Sequence, residues 1–218
     1  MRPKFDEQLR QLGIELTQMG NMIVAAIQNA IEAFFNQDAE AAERIMADDE
    51  LIDQEQKKIE GICYQLLIQQ QPVAKDLRTI TAAMKMVTDM ERIGDHAADI
   101  SEITVEMADS PYKMNTDNIK KMSAEVIMML LQAVEAYVEH DMEKANAVIS
   151  HDDIVDELFI KVKADLIKLM HDYPDNGGRA ADELMVDKYL ERIGDHATNI
   201  AEWVIFSLDD RIIGGNRG

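Results

Sequence analysis

The sequence predicts an all-α protein of two tandem three-helix bundles related by internal duplication. Three observations lead there. The heptapeptide Glu-Arg-Ile-Gly-Asp-His-Ala occurs at residues 91–97 and recurs, letter for letter, at 191–197. Only four prolines and ten glycines interrupt a chain filled with helix formers. No stretch sustains the period-two alternation of a half-buried strand.

The breaks divide the chain into six helices, expected near residues 4–36, 38–70, 72–109, 117–139, 141–171 and 179–208. Asp38 and Asp141 stand where helix N-caps are needed, opening "DAEAAERIM" and "DMEKANAVI". Pro72 suits the first turn of the third helix, where its missing N–H is unpaired anyway. The longer breaks are "ADSPYKMNTD" and "HDYPDNGGR", and the tail "IIGGNRG" reads as frayed. "DDELID" at 48–53 answers "HDDIVD" at 151–156 at an offset of 103, which Asp38 and Asp141 share. A repeat this long marks a duplicated supersecondary unit, and short loops make consecutive helices antiparallel neighbours. The expected domains are therefore 1–110 and 111–218, the second carrying the frayed tail.

Composition narrows the function. Hydrophobic residues make up 47% of the chain, enough to bury a core despite a net charge of −20. That field repels nucleic acid and anionic lipid and attracts cations and basic protein surfaces. Cys63 is the only cysteine, so no intramolecular disulfide forms, and its apolar neighbours suggest a buried thiol. The start of the chain has no apolar signal core, and no apolar run exceeds the six residues of Val126–Leu131. The expectation is a cytosolic protein. The fifteen methionines, Met128, Met129 and Met142 among them, read as core or interface filler.

The repeated motif carries the chemistry. With Glu91 at zero on a helical wheel, Asp95, Asp99, Glu102 and Glu106 fall within an arc of about 80°. Ile93, Ala97, Ile100 and Thr104 cluster on the far side, so the acids are expected to face outward. The second copy repeats the stripe through Glu191, Asp195, Asn199 and Glu202, and Asp187 extends it one turn back. The second helix of each half adds Asp49 and Asp53, or Asp152 and Asp156, at the same spacing. Each i,i+4 like-charge pair costs about 0.2–0.5 kcal/mol on an exposed helix, and Arg92 cannot neutralise five carboxylates. Hard oxygen ligands such as these suit magnesium, calcium, manganese or iron. A bare acidic face fits the same pattern. His96 and His196 lie off the stripe and read as packed interhelical or supporting histidines. Gly94 and Gly194, costly inside a helix by about 1 kcal/mol, read as points of close helix approach.

"ERIGDHAADISE" (91–102), "ERIGDHATNIAE" (191–202), "PVAKDLR" (72–78) and "DDELID" (48–53) together resemble the PhoU family of phosphate-uptake regulators, over about residues 4–208. The resemblance implies two three-helix bundles and multinuclear metal sites on Glu/Asp-xxx-Asp motifs. These map onto Glu91–Asp95, Glu191–Asp195, Asp49–Asp53 and Asp152–Asp156. Asp99 and Asn199 are the third stripe positions, and their difference suggests sites of unequal affinity. Iron, manganese, magnesium and zinc are the candidate divalent or trivalent ions. The resemblance further implies a non-enzymatic negative regulator of the phosphate-starvation response. It would be a homodimeric adaptor coupling the ATPase of a phosphate ABC transporter to a sensor histidine kinase. It would sit peripherally at the inner face of the membrane through protein contacts, without inserting and without binding nucleic acid. Two other readings stand beside it. A metal-free helical scaffold fits the composition. A di-iron carboxylate oxidase fits poorly, because no Glu-xx-His pair occurs in the chain.

Overall fold

The computed structural model describes residues 2–70, 72–107 and 117–209. They form six long α-helices: α1 Arg2–Asn36, α2 Ala39–Gln70, α3 Ala74–Met107, α4 Asp117–Glu139, α5 Met142–Asp172 and α6 Gly177–Leu208, with one 3₁₀ turn, Pro174–Asn176, between the last two. Helices α1–α3 pack into one three-helix bundle and α4–α6 into another. The expected boundary at residue 110 lies outside the described residues. Among those described, no helix is long and apolar enough to cross a membrane.

The duplication is visible down to the turns. The α1–α2 connection closes with Gln37 N–H donating to Phe34 O and Asp38 N–H to Ala33 O. The α4–α5 connection repeats this, with His140 N–H on Tyr137 O and Asp141 N–H on Ala136 O. Both are Schellman C-caps, and Gln37 and His140 hold positive φ of 55° and 57°. Each following aspartate then caps the next helix. Asp38 Oδ1 accepts from Ala41 N at 2.9 Å, and Asp141 Oδ1 accepts from Lys144 N at 3.0 Å. Pro72 differs from expectation: it precedes α3, whose first bond runs from Leu77 N to Val73 O. Val73 therefore occupies the cap, and Pro72 stops α2 from continuing.

Within each bundle the third helix touches the second closely at the motif glycine. A Cβ on Gly94 would lie 3.1 Å from two carbons of Ile52. On Gly194 it would lie 3.3 Å from Val155 Cγ1 and 3.6 Å from Val126 Cγ1. Close approach is thus the reason for a glycine in mid-helix. The bundles join chiefly along α3 and α6, with α1 and α4 forming a second seam. Asp89 meets His196 and Met107 meets Arg179, so α3 and α6 run antiparallel. The buried apolar side chains of both bundles form one continuous cluster. Cys63 lies wholly inside it, and burial pushes its thiol up to about 12.

Candidate metal centres

The acidic residues of α2 and α3 are brought together. Burial and the nearby carboxylates of Asp95, Asp53 and Asp99 raise Asp49 to about 6. Glu91 is raised as well, by burial first and then by Asp95, opposed by Arg92. Asp49, Asp53, Glu91 and Asp95 therefore occupy one electrostatic neighbourhood in the α2–α3 groove. Its counterpart lies between α5 and α6. Burial and the charges of Asp156 and Asp195 raise Asp152, and burial with Glu191 raises Asp195.

These acids are unequally exposed: Asp156 and Asp195 stand open to solvent as expected, whereas others are drawn in. The side chains of Glu91 and Glu191 are only 17% and 16% exposed, because the glycine one turn away draws the neighbouring helix in. The same glycines leave room for carboxylates. A Cβ at Gly94 would sit 3.4 Å from Asp49 Oδ1, and one at Gly194 would sit 3.4 Å from Asp152 Oδ1. A cleft of about 210 Å³ opens beside Gly94, lined in part by Asp48, Asp49 and Ile52.

Basic side chains reach only part of this charge. Arg92 pairs with Asp95 at 2.8 Å and lies 3.5 Å from Glu91. Lys188 forms a short pair with Glu191, and Lys57 lies 3.8 Å from Asp53. Among the described residues, no three acid, histidine or cysteine side chains already converge as a set of metal ligands. The donor set is all oxygen, spread over two facing helices and partly shielded from water. That composition fits a hard multivalent cation.

The third stripe positions belong elsewhere. Asp99 Oδ2 accepts from His96 Nδ1 at 3.1 Å, and Asn199 donates to Asp89 Oδ1 at 3.2 Å. Both lie at the α3–α6 seam, although the Asp99 charge still reaches Asp49. The reason is angular: the stripe drifts round the helix by about 40° per turn of four residues, and two turns carry it from α2 to α6. The difference between Asp99 and Asn199 is therefore a feature of the seam.

The motif histidines face each other across that seam. The rings of His96 and His196 are 5.6 Å apart, and His96 stacks on Tyr189 at 5.5 Å. Burial lowers His96, opposed by Asp99. His196 donates to Asp89 Oδ1 at 2.8 Å. Asp89 was not singled out from sequence. It is offset by 100 from Tyr189, in the turn preceding each motif, where the two halves differ.

Asp187 corrects the outward stripe most sharply. It is wholly buried, Glu183 is 2% exposed, and neither Asp187 oxygen has a hydrogen-bond partner. Burial, then the charges of Glu183 and Glu191, raise Asp187 to about 8, and burial raises Glu183 to about 7 against Arg179.

Comparison with known proteins agrees with the duplicated helical fold. The PhoU domain profile matches the chain twice, at residues 16–104 and 119–204. A phosphate-specific transport system accessory protein PhoU homolog of Clostridium acetobutylicum is 38% identical over 208 residues, covering 95% of each chain. The homolog of Caulobacter vibrioides is 35% identical, covering 94% of this chain and 89% of the relative. The crystal structure of PhoU from Pseudomonas aeruginosa matches with a TM-score of 0.87 at 29% identity, over 94% of this chain and 98% of that one. The phosphate transport system regulatory protein PhoU from Streptococcus pneumoniae matches at 0.85 and 27% identity, over 97% and 98%.

Proposed function

The chain belongs to the PhoU domain family, and from that premise we propose that it is a negative regulator of the phosphate-starvation response. In this reading it is a non-enzymatic adaptor between the ATPase of a phosphate ABC transporter and a sensor histidine kinase. The observation that carries the proposal is the near full-length similarity to proteins named as phosphate transport accessory and regulatory proteins. Its acidic surface suits basic patches on such partners, and the same charge disfavours direct adsorption to anionic lipid. In this reading the adaptor works at the inner face of the membrane through protein contacts, and it does so as a homodimer, as the family resemblance implies.

Metal binding is part of the proposal. Asp49, Asp53, Glu91 and Asp95 would hold ions in the first bundle, and Asp152, Asp156, Glu191 and Asp195 in the second. Each bound divalent ion would remove two negative charges locally and fix several carboxylates at once. The protein's own contribution is to present acids from two helices across a glycine contact, so that loading ties those helices together. The half-buried location of Glu91 and Glu191 supports a clamp more than a freely exchanging surface site.

Deleting the gene is expected to leave phosphate-starvation genes switched on in phosphate-replete medium; full repression in the deletion strain would end the regulatory reading. A metal-free scaffold is the second reading, favoured by the ion pairs of Arg92 and Lys188 with the motif acids. Elemental analysis of protein purified without chelator separates the two. Stoichiometric iron, manganese, magnesium or zinc supports the clamp, and protein with no multivalent ion supports the scaffold.

A further inference from the structure

The two carboxylate clusters differ in one residue that the repeated motif conceals. Asp187 lies seven residues before Gly194, and a heptad returns a side chain to nearly the same face of a helix. Gly194 faces Val155 and Asp152 of α5. Asp187 therefore lies on the side of α6 that carries the second cluster, one turn before Glu191. The equivalent residue of the first bundle, seven before Gly94, is Val87, which is fully buried.

A valine there needs no explanation, but an aspartate does. Asp187 has no exposure and no hydrogen bond to either oxygen. Its nearest charges are Glu183 on one side and Glu191 on the other, and the one nearby cation, Lys188, is held by Glu191. A buried carboxyl flanked by two more ionises only where a positive charge meets it; without one it keeps its proton and still lacks a hydrogen-bond partner. The column Glu183, Asp187, Glu191 and Asp195 begins inside the bundle and emerges at the half-buried groove.

We propose that Asp187 is an additional, buried ligand of the second carboxylate cluster, so that this site takes a hard multivalent cation more tightly than the first, or takes one ion more. The inference rests on the proposed metal-binding role. It makes the duplicated sites unequal: the first has four carboxylates from two helices, and the second has a fifth that water does not reach.

The test uses Mn²⁺ and the full chain. Free Mn²⁺ is followed by electron paramagnetic resonance while metal-free protein is titrated, first with both clusters intact and then with the first disabled by Glu91→Gln and Asp95→Asn. In that background Asp187→Val, which copies the first bundle, is expected to weaken the second site at least tenfold or remove one bound ion. Asp187→Asn, nearly unchanged in shape, guards against a packing artefact and should do the same, with circular dichroism confirming the fold. Unchanged affinity and stoichiometry in both variants would overturn the inference while leaving metal binding by the family motifs intact. Mn²⁺ bound by the intact chain and lost on disabling the first cluster also overturns it. No Mn²⁺ binding by the intact chain removes the metal-binding reading as well.

Discussion

At two interior positions of the third helix, two turns and one turn before the repeated motif, the first bundle is apolar and the second is acidic. Ala83 and Val87 lie in the interior of the first, whereas Glu183 and Asp187 occupy the equivalent depth in the second. The seam differs in a compensated way. His96 receives its carboxylate from Asp99 on its own helix and faces Tyr189. His196 receives its carboxylate from Asp89 across the seam and shares that oxygen with the amide of Asn199. Each histidine thus has one acid, and an acid at both positions would set two negative charges together. Duplicated units can keep a motif letter for letter and still diverge in the turns that decide what it meets.

The largest test of this comparison exchanges the buried residues in metal-free protein. Folded Asp187 holds a proton up to about pH 8 that the unfolded chain releases near its ordinary value. Stability therefore falls as pH rises from about 4 to about 8 and then levels off, with Glu183 adding the same sign over a narrower window. Asp187→Val is expected to stabilise the chain by on the order of 3 kcal/mol at pH 8, and by much less at pH 4. Val87→Asp should impose a similar penalty on the first bundle. Urea unfolding in chelator across this pH range checks both, and a gain that does not grow with pH would sink the argument.

A smaller effect is expected at the seam. Asn199→Asp removes a donor to Asp89 and places a second carboxylate beside it, costing about 1–2 kcal/mol. Adding Asp89→Tyr recreates the first bundle's arrangement and should recover most of that loss. A double-mutant cycle with no coupling would mean that the two positions do not compensate.

The glycine contacts should separate by a further step. Gly94→Ala gains about 1 kcal/mol of helix propensity but meets Ile52 at 3.1 Å, giving an expected net loss of about 1 kcal/mol. Gly194→Ala meets Val155 at 3.3 Å and should stay within about 0.5 kcal/mol of wild type. Thermal melts that rank them the other way would show that the first bundle gives more easily. The smallest difference of all should appear at the turns. Gln37→Gly and His140→Gly each relieve a left-handed residue and should stabilise by about 0.5–1 kcal/mol, equally in both bundles. Unequal gains would show that the paired Schellman turns carry different loads.

Much of this was legible in the residues. Helix periodicity, the two aspartate caps and the offset repeat gave the six helices and their grouping, because these depend on local spacing. The i,i+4 spacing within Asp49–Asp53 and within Glu91–Asp95 was legible for the same reason, whereas their joint placement rested on the family resemblance. The fates of Asp99, Asn199 and Asp187 were not. A wheel shows that residues share an arc, but not which neighbouring helix covers each part of it. Asp99 and Asn199 were displaced by the α3–α6 seam, which no local pattern announces. Asp187 was placed outward because an aspartate ordinarily prefers water, although its heptad spacing from Gly194 was already in the sequence.

The run Gly94-Asp95-His96 has a mechanical consequence. Three consecutive residues serve three surroundings: the glycine admits α2, the aspartate joins the acidic groove, and the histidine meets α6. Successive side chains are about 100° apart on a helix, so one setting of the helix about its axis satisfies all three. Turning α3 by a fraction of that angle would spoil each contact together. The helix behaves as a keyed shaft: any event that twists it in the groove must be felt, in phase, at the seam between the bundles.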